Sequence, residues 1–270
     1  MDLSSRTYVV GILNVTPDSF SDGGKFFRPQ DAHKRALRMV EEGADIIDVG
    51  GQSTRPGSEN ISLEEELRRV IPLVRELAKK IQIPISVDTY SSQVALAALD
   101  AGAEMINDIS GLRFDSKMAG VVARCQAGLV LMHIQGTPKN MQEDPHYDDL
   151  LEEIKDYLRE SIKLAEQAGI KEDKIIIDPG IGFGKKIEHN LSILKNLRRF
   201  EELGKPIMVG TSRKSFIGKL LDLPVEDRLE GSLASVAVSI LNGANIVRVH
   251  DVGESVRVAR LVDAIMRSCT

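Results

Sequence analysis

The sequence predicts a (β/α)8 barrel in a single domain over residues 1–270, and three observations predict it. Eight short runs rich in Val and Ile recur along the chain. Stretches with helical spacing lie between them. Three helix-to-strand junctions, "EEGADIIDV", "DAGAEMIND" and "LNGANIVRV", share a Gly-Ala step.

Taken in order, the first run is "YVVGILN" at 8–14. It follows a start with one early Arg and leads straight into a loop, so it reads as a strand and not a targeting signal. "DAHKRALRMVEEGA" then has the apolar spacing of a helix and enters the second strand, "DIIDVG" at 45–50. "LEEELRRVIPLVRELAKK" is the second helix, before "PISVD" at 84–88, "EMIND" at 104–108 and "GLVLMH" at 128–133. "LLEEIKDYLRESIKLAEQAG" leads to "KIIIDPG" at 174–180 and then "PIMVG" at 206–210. "SLASVAVSILNGA" leads to the last strand, "NIVRVH" at 245–250. The third, fourth and last helices are expected to be shorter, or are less clearly marked in the sequence. Nearly continuous apolar runs suit parallel strands covered on both faces. Gly43, Gly102 and Gly243 fit the position just past a helix, where a left-handed backbone costs glycine nothing. The rival, an open doubly wound sheet, would normally carry a glycine fingerprint after its first strand, and "GILNVTPDSFSDGG" is not one.

Composition narrows the function. Thirty-five basic against 40 acidic residues leave a formal charge of −5, against a general binder of nucleic acid or anionic membrane. No apolar run approaches the roughly 18 residues of a spanning helix. Cys125 and Cys269 lack metal-ligand spacing and suggest a reducing compartment, so a cytoplasmic location is expected.

In such a barrel the chemistry sits at the C-terminal ends of the strands. Polar residues gather at those ends: Asn14, Asp48, Asp88, Asn107, Met132–His133, Asp178, Arg213–Lys214, and Arg248 with His250. Any one could simply be a strand meeting a turn, but eight ends converging on one rim argue for a site. Asp88, Asn107 and Asp178 would be buried acceptors needing donors. A planar heterocycle with an amino group beside a ring N–H supplies two parallel donors to one carboxylate. Two other readings stay open: Asp178 capping its glycine-rich turn, and metal binding by the acid cluster. Arg248 and His250 alternate on one strand, so with Arg55 of "STRPG" they could surround a phosphate or diphosphate; Arg55 could also be a surface ion-pair residue. Three long loops rich in Gly, Pro and Ser suggest lids. "DPGIGFGK" is a weak phosphate-loop match, and its glycines are expected to let backbone approach a flat ligand, with Phe183 as a wall.

In this order, "GILNVTPDSFSDGG", "DVGGQSTRPG", "SVDTY", "INDISG", "MHIQGTP", "DPGIGFGK", "GTSRKSFIG" and "RVHDV" resemble dihydropteroate synthases of the folate pathway. The resemblance covers residues 11–252 and implies a (β/α)8 barrel. It also implies a reaction: 4-aminobenzoate joins 6-hydroxymethyl-7,8-dihydropterin diphosphate, giving 7,8-dihydropteroate and pyrophosphate. Carried over by motif, Asp88, Asn107, Met132, Asp178 and Lys214 hold the pterin. Asn14 resembles the magnesium and diphosphate residue, and Thr54, Arg55, Arg248 and His250 the diphosphate ligands, with Asp48 nearby. Phe20, Thr54, Pro56, Phe183, Lys214 and Ser215 resemble the aminobenzoate pocket, which sulfonamides occupy in the family. Asp88, Asp178, Lys214 and Arg55 are the expected catalytic set, Mg2+ the expected cofactor and a homodimer the expected assembly. Gln52 departs from the Glu of many members. A pterin-dependent methyltransferase and a non-catalytic pterin-binding protein are the alternatives. Cys125 is expected in the core, and Arg213 is expected to organise carboxylates rather than touch substrate.

Overall fold

A computed structural model describes residues 6–15, 29–55, 57–59 and 61–268. Eight parallel strands form one sheet: β1 (Tyr8–Asn14), β2 (Ile46–Gly50), β3 (Ile85–Asp88), β4 (Met105–Asp108), β5 (Gly128–Met132), β6 (Ile175–Asp178), β7 (Met208–Val209) and β8 (Ile246–Val249). Ladders run β6-β5-β4-β3-β2-β1-β8-β7, and a parallel bridge between Ile177 and Ile207 joins the two ends into a barrel. All eight expected strands are present, within about two residues at their ends.

The surrounding helices are α1 (Pro29–Glu41), α2 (Leu63–Leu77), α3 (Ser92–Asp100), α4 (Met118–Cys125), α5 (Leu150–Gln167), α6 (Ile187–Lys195), α7 (Ser215–Leu221), α8 (Leu229–Leu241) and α9 (Val252–Arg267). Helices α3 and α4 are short as expected, but α9, with 16 residues, is not. Its buried face (Val252, Val256, Ala259 and Val262) packs into the main core, and scattered Arg and Asp residues on the other face mask that spacing in the sequence. Gly43, Gly102 and Gly243 have φ of 99°, 112° and 103°, as the Gly-Ala junctions require.

The period of two sorts every strand. Val9, Leu13, Ile47, Val49, Ile85, Val87, Ile106, Leu129, Leu131, Ile175, Ile177, Val209, Val247 and Val249 belong to the main core against the helices. The alternate residues Val10, Ile46, Met105, Val130, Ile176, Met208 and Ile246 form a separate plug inside the barrel. Two positions further along the same strands come Asp48, Asn107, Met132, Asp178, Gly210 and Arg248. Alternation puts these above the plug, on the same inward face. One apolar layer therefore floors one polar layer.

Candidate active site

Register aligns the rim. Asn14 pairs with Gly50, Gly50 with Asp88, and Asp88 with Asn107, so three polar residues and a glycine lie level across four strands. Asp178 pairs with Met132. Below them only about 10 Å³ separates Asp48, Ser86 and Asn107 from the plug, room for about one water, so a ligand must sit above.

Asp48 is the hub. Its Oδ2 accepts Arg248 Nε at 2.6 Å and Asn107 Nδ2 at 3.1 Å, while Arg248 Nη2 donates to Asp88 Oδ2 at 2.8 Å. This answers why an arginine interrupts the run "NIVRVH": two carboxylates compensate it. Burial works against the Arg248 charge, but Asp48 and Asp88 hold the guanidinium more basic than usual. Two of its five N–H groups are thereby committed, so the diphosphate role expected for Arg248 falls to the two on Nη1 and the second on Nη2.

The remaining acceptors define the ligand. Asp48 Oδ1, Asp88 Oδ1 and Asn107 Oδ1 are buried and have no hydrogen-bond partner among the described residues. A carboxylate can only accept, so Asn107 must turn its NH2 toward Asp48 and its oxygen away. Asp178, also buried, accepts Gly180 N–H at 2.7 Å through Oδ1. Its capping of the glycine-rich turn is thus real, and Oδ2 remains for a ligand. Burial raises Asp178 and Asp88 above the ordinary carboxylate range, opposed at Asp178 by Lys214 and at Asp88 by Arg248. Each unmade bond to a buried acceptor costs roughly 1–3 kcal/mol, recovered by a ligand edge made of N–H donors.

The "GTSRKSFIG" loop separates its two cations. Arg213, at φ 57°, turns outward and forms a bidentate pair with Asp251 at 2.9 and 2.7 Å. Lys214 turns inward: its Nζ donates to the Ile181 carbonyl and lies 4.8 Å from the Phe183 ring centroid. Burial pushes Lys214 down to about 8, while Asp178 pulls the other way. The charge of Arg213 is spent on Asp251, as its expected organising role requires.

His250 is held by Ser212. The Ser212 oxygen accepts the His250 backbone N–H at 3.2 Å and lies 3.1 Å from Nδ1. With the hydroxyl donating to Nδ1, the ring proton sits on Nε2. Burial, with Arg248 assisting, pushes His250 down to about 4, so at neutral pH it is an uncharged donor and not a cation. Arg55 is exposed and makes no ion pair among the described residues, yet its charge is felt at His250. Thr54 is half-buried beside it, and Ser215 is exposed at the start of α7. Phe20 and Pro56 lie outside the described residues. Met132 packs with Ile109, Ile134 and Met141 against Phe183 and Tyr90, an apolar wall beside the acceptors.

Two expectations need correction. Gly180, Gly182 and Gly184 have φ of 73°, 82° and 64°, but the backbone admitted at Gly180 and Gly184 is that of a neighbouring loop, while Gly182 faces the Lys214 side chain. A Cβ on Gly180 would lie 1.9 Å from the His133 carbonyl oxygen, and one on Gly184 2.5 Å from that of Gln135. Gly180 and Gly184 pack the loop after β6 onto the loop after β5. Cys125 is half-buried at the end of α4, not a core residue, because the helix turns Val122 inward instead.

Sequence reasoning missed Ser212 and the pair Lys185–His133, whose atoms Nζ and Nδ1 are 2.8 Å apart. The lysine of "GFGK" offered the signal, being a cation directly after a glycine-rich apolar stretch. Gln52 Nε2 donates to Tyr90 OH at 2.8 Å, a contact an amide makes without a charge. For magnesium, no group of three His, Cys, Asp or Glu among the described residues could hold an ion. Asn14 instead offers a hard amide oxygen at the rim, 3.2 Å from where a Gly50 Cβ would stand. Magnesium commonly takes one or two protein oxygens and completes its shell with phosphates and water, so this donor set fits.

A barrel whose polar rim presents buried acceptors and neighbouring cations defines an enzyme that holds a flat, donor-edged base with an anionic arm. The profile of pterin binding enzymes matches residues 10–250. A dihydropteroate synthase of Clostridium beijerinckii is 49% identical over 98% of this chain and 97% of its own. A solved Yersinia pestis dihydropteroate synthase, in complex with a sulfonamide drug, superposes with a TM-score of 0.94 at 43% identity, covering 100% of this chain and 97% of the other. One from Xanthomonas albilineans, in complex with 7,8-dihydropteroate, gives 0.89 at 41% identity, covering 100% and 97%. The chain belongs to the dihydropteroate synthase family of pterin-binding transferases.

Proposed function

We propose that the rim binds 6-hydroxymethyl-7,8-dihydropterin diphosphate by its donor edge and joins it to 4-aminobenzoate, forming 7,8-dihydropteroate for folate biosynthesis. One observation carries the assignment of residues: three buried acceptor atoms, on Asp48, Asp88 and Asn107, lack partners among the described residues, beside Asp178. The pterin amino group and ring N–H groups are the donors that would satisfy Asp88, Asn107 and Asp178. Met132 lines one face, and Lys214 reaches the ring from the side.

The reaction breaks the bond between the pterin methylene carbon and the diphosphate oxygen. The aminobenzoate nitrogen forms the new bond and loses a proton, and pyrophosphate leaves. Arg55, the free edge of Arg248 and the Nε2–H of His250 stabilise the charge growing on the departing oxygens. Asn14 would hold magnesium, which when bound supplies further positive charge to the diphosphate. Asp88 and Asp178 favour positive charge developing on the pterin. Thr54, Phe183, Lys214 and Ser215, with Phe20 and Pro56, form the aminobenzoate pocket. The sulfonamide complex of the Yersinia pestis relative supports sulfonamide binding in the same place. No enzyme nucleophile takes part.

A cytoplasmic homodimer completes the reading. It is supported by the absence, among the described residues, of a helix long and apolar enough to cross a membrane, and by exposed Val238 and Leu241 on α8 and Leu261, Ile265 and Met266 on α9. The test is incubation with the pterin diphosphate, 4-aminobenzoate and magnesium. Dihydropteroate with stoichiometric pyrophosphate is expected. Pterin binding without turnover, or methyl transfer from a folate, would replace this reading with one of its rivals.

A further inference from the structure

The loop after β6 closes around a lysine that the reaction above does not use. Lys185 is buried, 3% exposed, and its Nζ lies 2.9 Å from the Phe183 carbonyl oxygen and 2.8 Å from His133 Nδ1. Among the described residues no carboxylate comes within ion-pair distance of it. Both partners are uncharged acceptors, the setting that favours a neutral amine still donating two N–H groups. Burial pushes Lys185 far below its ordinary value, consistent with that form. His133 is itself 4% exposed, with its ring edge-on to Tyr157 at 4.6 Å. Tyr147 OH donates to the Gly184 carbonyl at 2.7 Å, a second tie on the same loop.

The pinned loop carries both groups that meet Lys214: the Ile181 carbonyl, which accepts from its Nζ, and the Phe183 ring. The acceptors assigned to the pterin sit instead on β3, β4 and β6. We propose that Lys185, anchored on His133, is a positioning residue that sets the Phe183 ring in the wall of the aminobenzoate pocket, and so governs affinity for 4-aminobenzoate more than for the pterin, which meets this loop only through Lys214. This rests on the functional reading above.

Lys185→Met keeps the unbranched apolar stem, one atom shorter, and removes both donors, leaving a buried carbonyl and a ring nitrogen unpaired. The KM for 4-aminobenzoate is expected to rise roughly tenfold. The Kd for the pterin diphosphate, measured by calorimetry, should change less than about threefold, since its acceptors are on the strands. Lys185→Gln, which can still donate to one partner, should recover part of the loss. His133→Phe keeps the ring packing on Tyr157 but removes the acceptor; it should move KM the same way and carries the test if Lys185→Met does not fold. An unchanged aminobenzoate KM in a folded variant, with only a lower Tm, overturns the inference. So does an equal loss of pterin affinity. A wild-type protein that binds pterin diphosphate but makes no dihydropteroate sinks the functional reading instead.

Discussion

Replacing either cation of "SRK" by alanine tests whether the loop divides their labour as the geometry implies. Lys214 Nζ is partly buried beside Asp178, the Ile181 carbonyl and the Phe183 ring. If it contacts the pterin, Lys214→Ala removes a charge-assisted hydrogen bond, a loss of roughly 1.5–3 kcal/mol. At about 1.4 kcal/mol per tenfold, kcat/KM for the pterin diphosphate should fall roughly ten- to 150-fold. Arg213 points away, its side chain 33% exposed and paired with Asp251. Such a pair contributes at most about 1 kcal/mol, and to stability rather than turnover. Arg213→Ala should therefore lower Tm slightly and change kcat/KM less than about threefold. Steady-state assays at matched folded fractions decide it. Equal losses in the two variants, or a greater loss for Arg213→Ala, would refute the assignment of Lys214 to the substrate.

Four further outcomes follow from the same contacts. Gly180→Ala should destabilise by more than roughly 3 kcal/mol in denaturant unfolding, because its Cβ would lie 1.9 Å from the His133 carbonyl oxygen at a φ of 73°. Arg248→Met leaves Asp48 and Asp88 buried without their cation and should cost roughly 3–5 kcal/mol of stability, with pterin affinity lost in the fraction that folds. His250 in the fold titrates at about 4, below the usual 6.5, so its contribution to stability is complete above pH 6.5 and is lost as pH falls toward 4. Relative to His250→Gln, the wild type should lose up to roughly 3 kcal/mol over that window, read by unfolding at stepped pH. Cys125→Ala should leave kcat within about twofold, since no bond to substrate forms at that half-buried thiol; abolished turnover would contradict the absence of an enzyme nucleophile.

The barrel was legible because its strands are short apolar runs whose neighbours repeat one junction, and Gly43, Gly102 and Gly243 mark that junction in the letters themselves. The rim was legible for a related reason: Asp48, Asn107, Asp178 and Arg248 each stand two residues beyond a plug residue, so alternation alone places them inside. What alternation cannot show is who pairs with whom across the barrel. Arg248 and Asp48 are 200 positions apart, and only closure of the sheet makes Asp48 the hub. The charge state of His250 was equally hidden, because it depends on burial and on the neighbouring Arg248 charge, not on local spacing. The glycines of "DPGIGFGK" misled because a close backbone approach looks the same in sequence whether the visitor is a ligand or another loop.

Because the Asn107 amide turns its NH2 to Asp48, the three unpartnered oxygens of Asp48, Asp88 and Asn107 at the floor of the cleft meet a ligand with lone pairs. A competing base that turns an oxo group or an unprotonated ring nitrogen toward that floor meets repulsion there, whatever its size or flatness. Inhibitors built for this half of the cleft should therefore be chosen by counting the hydrogens they can offer on one edge, before any question of shape.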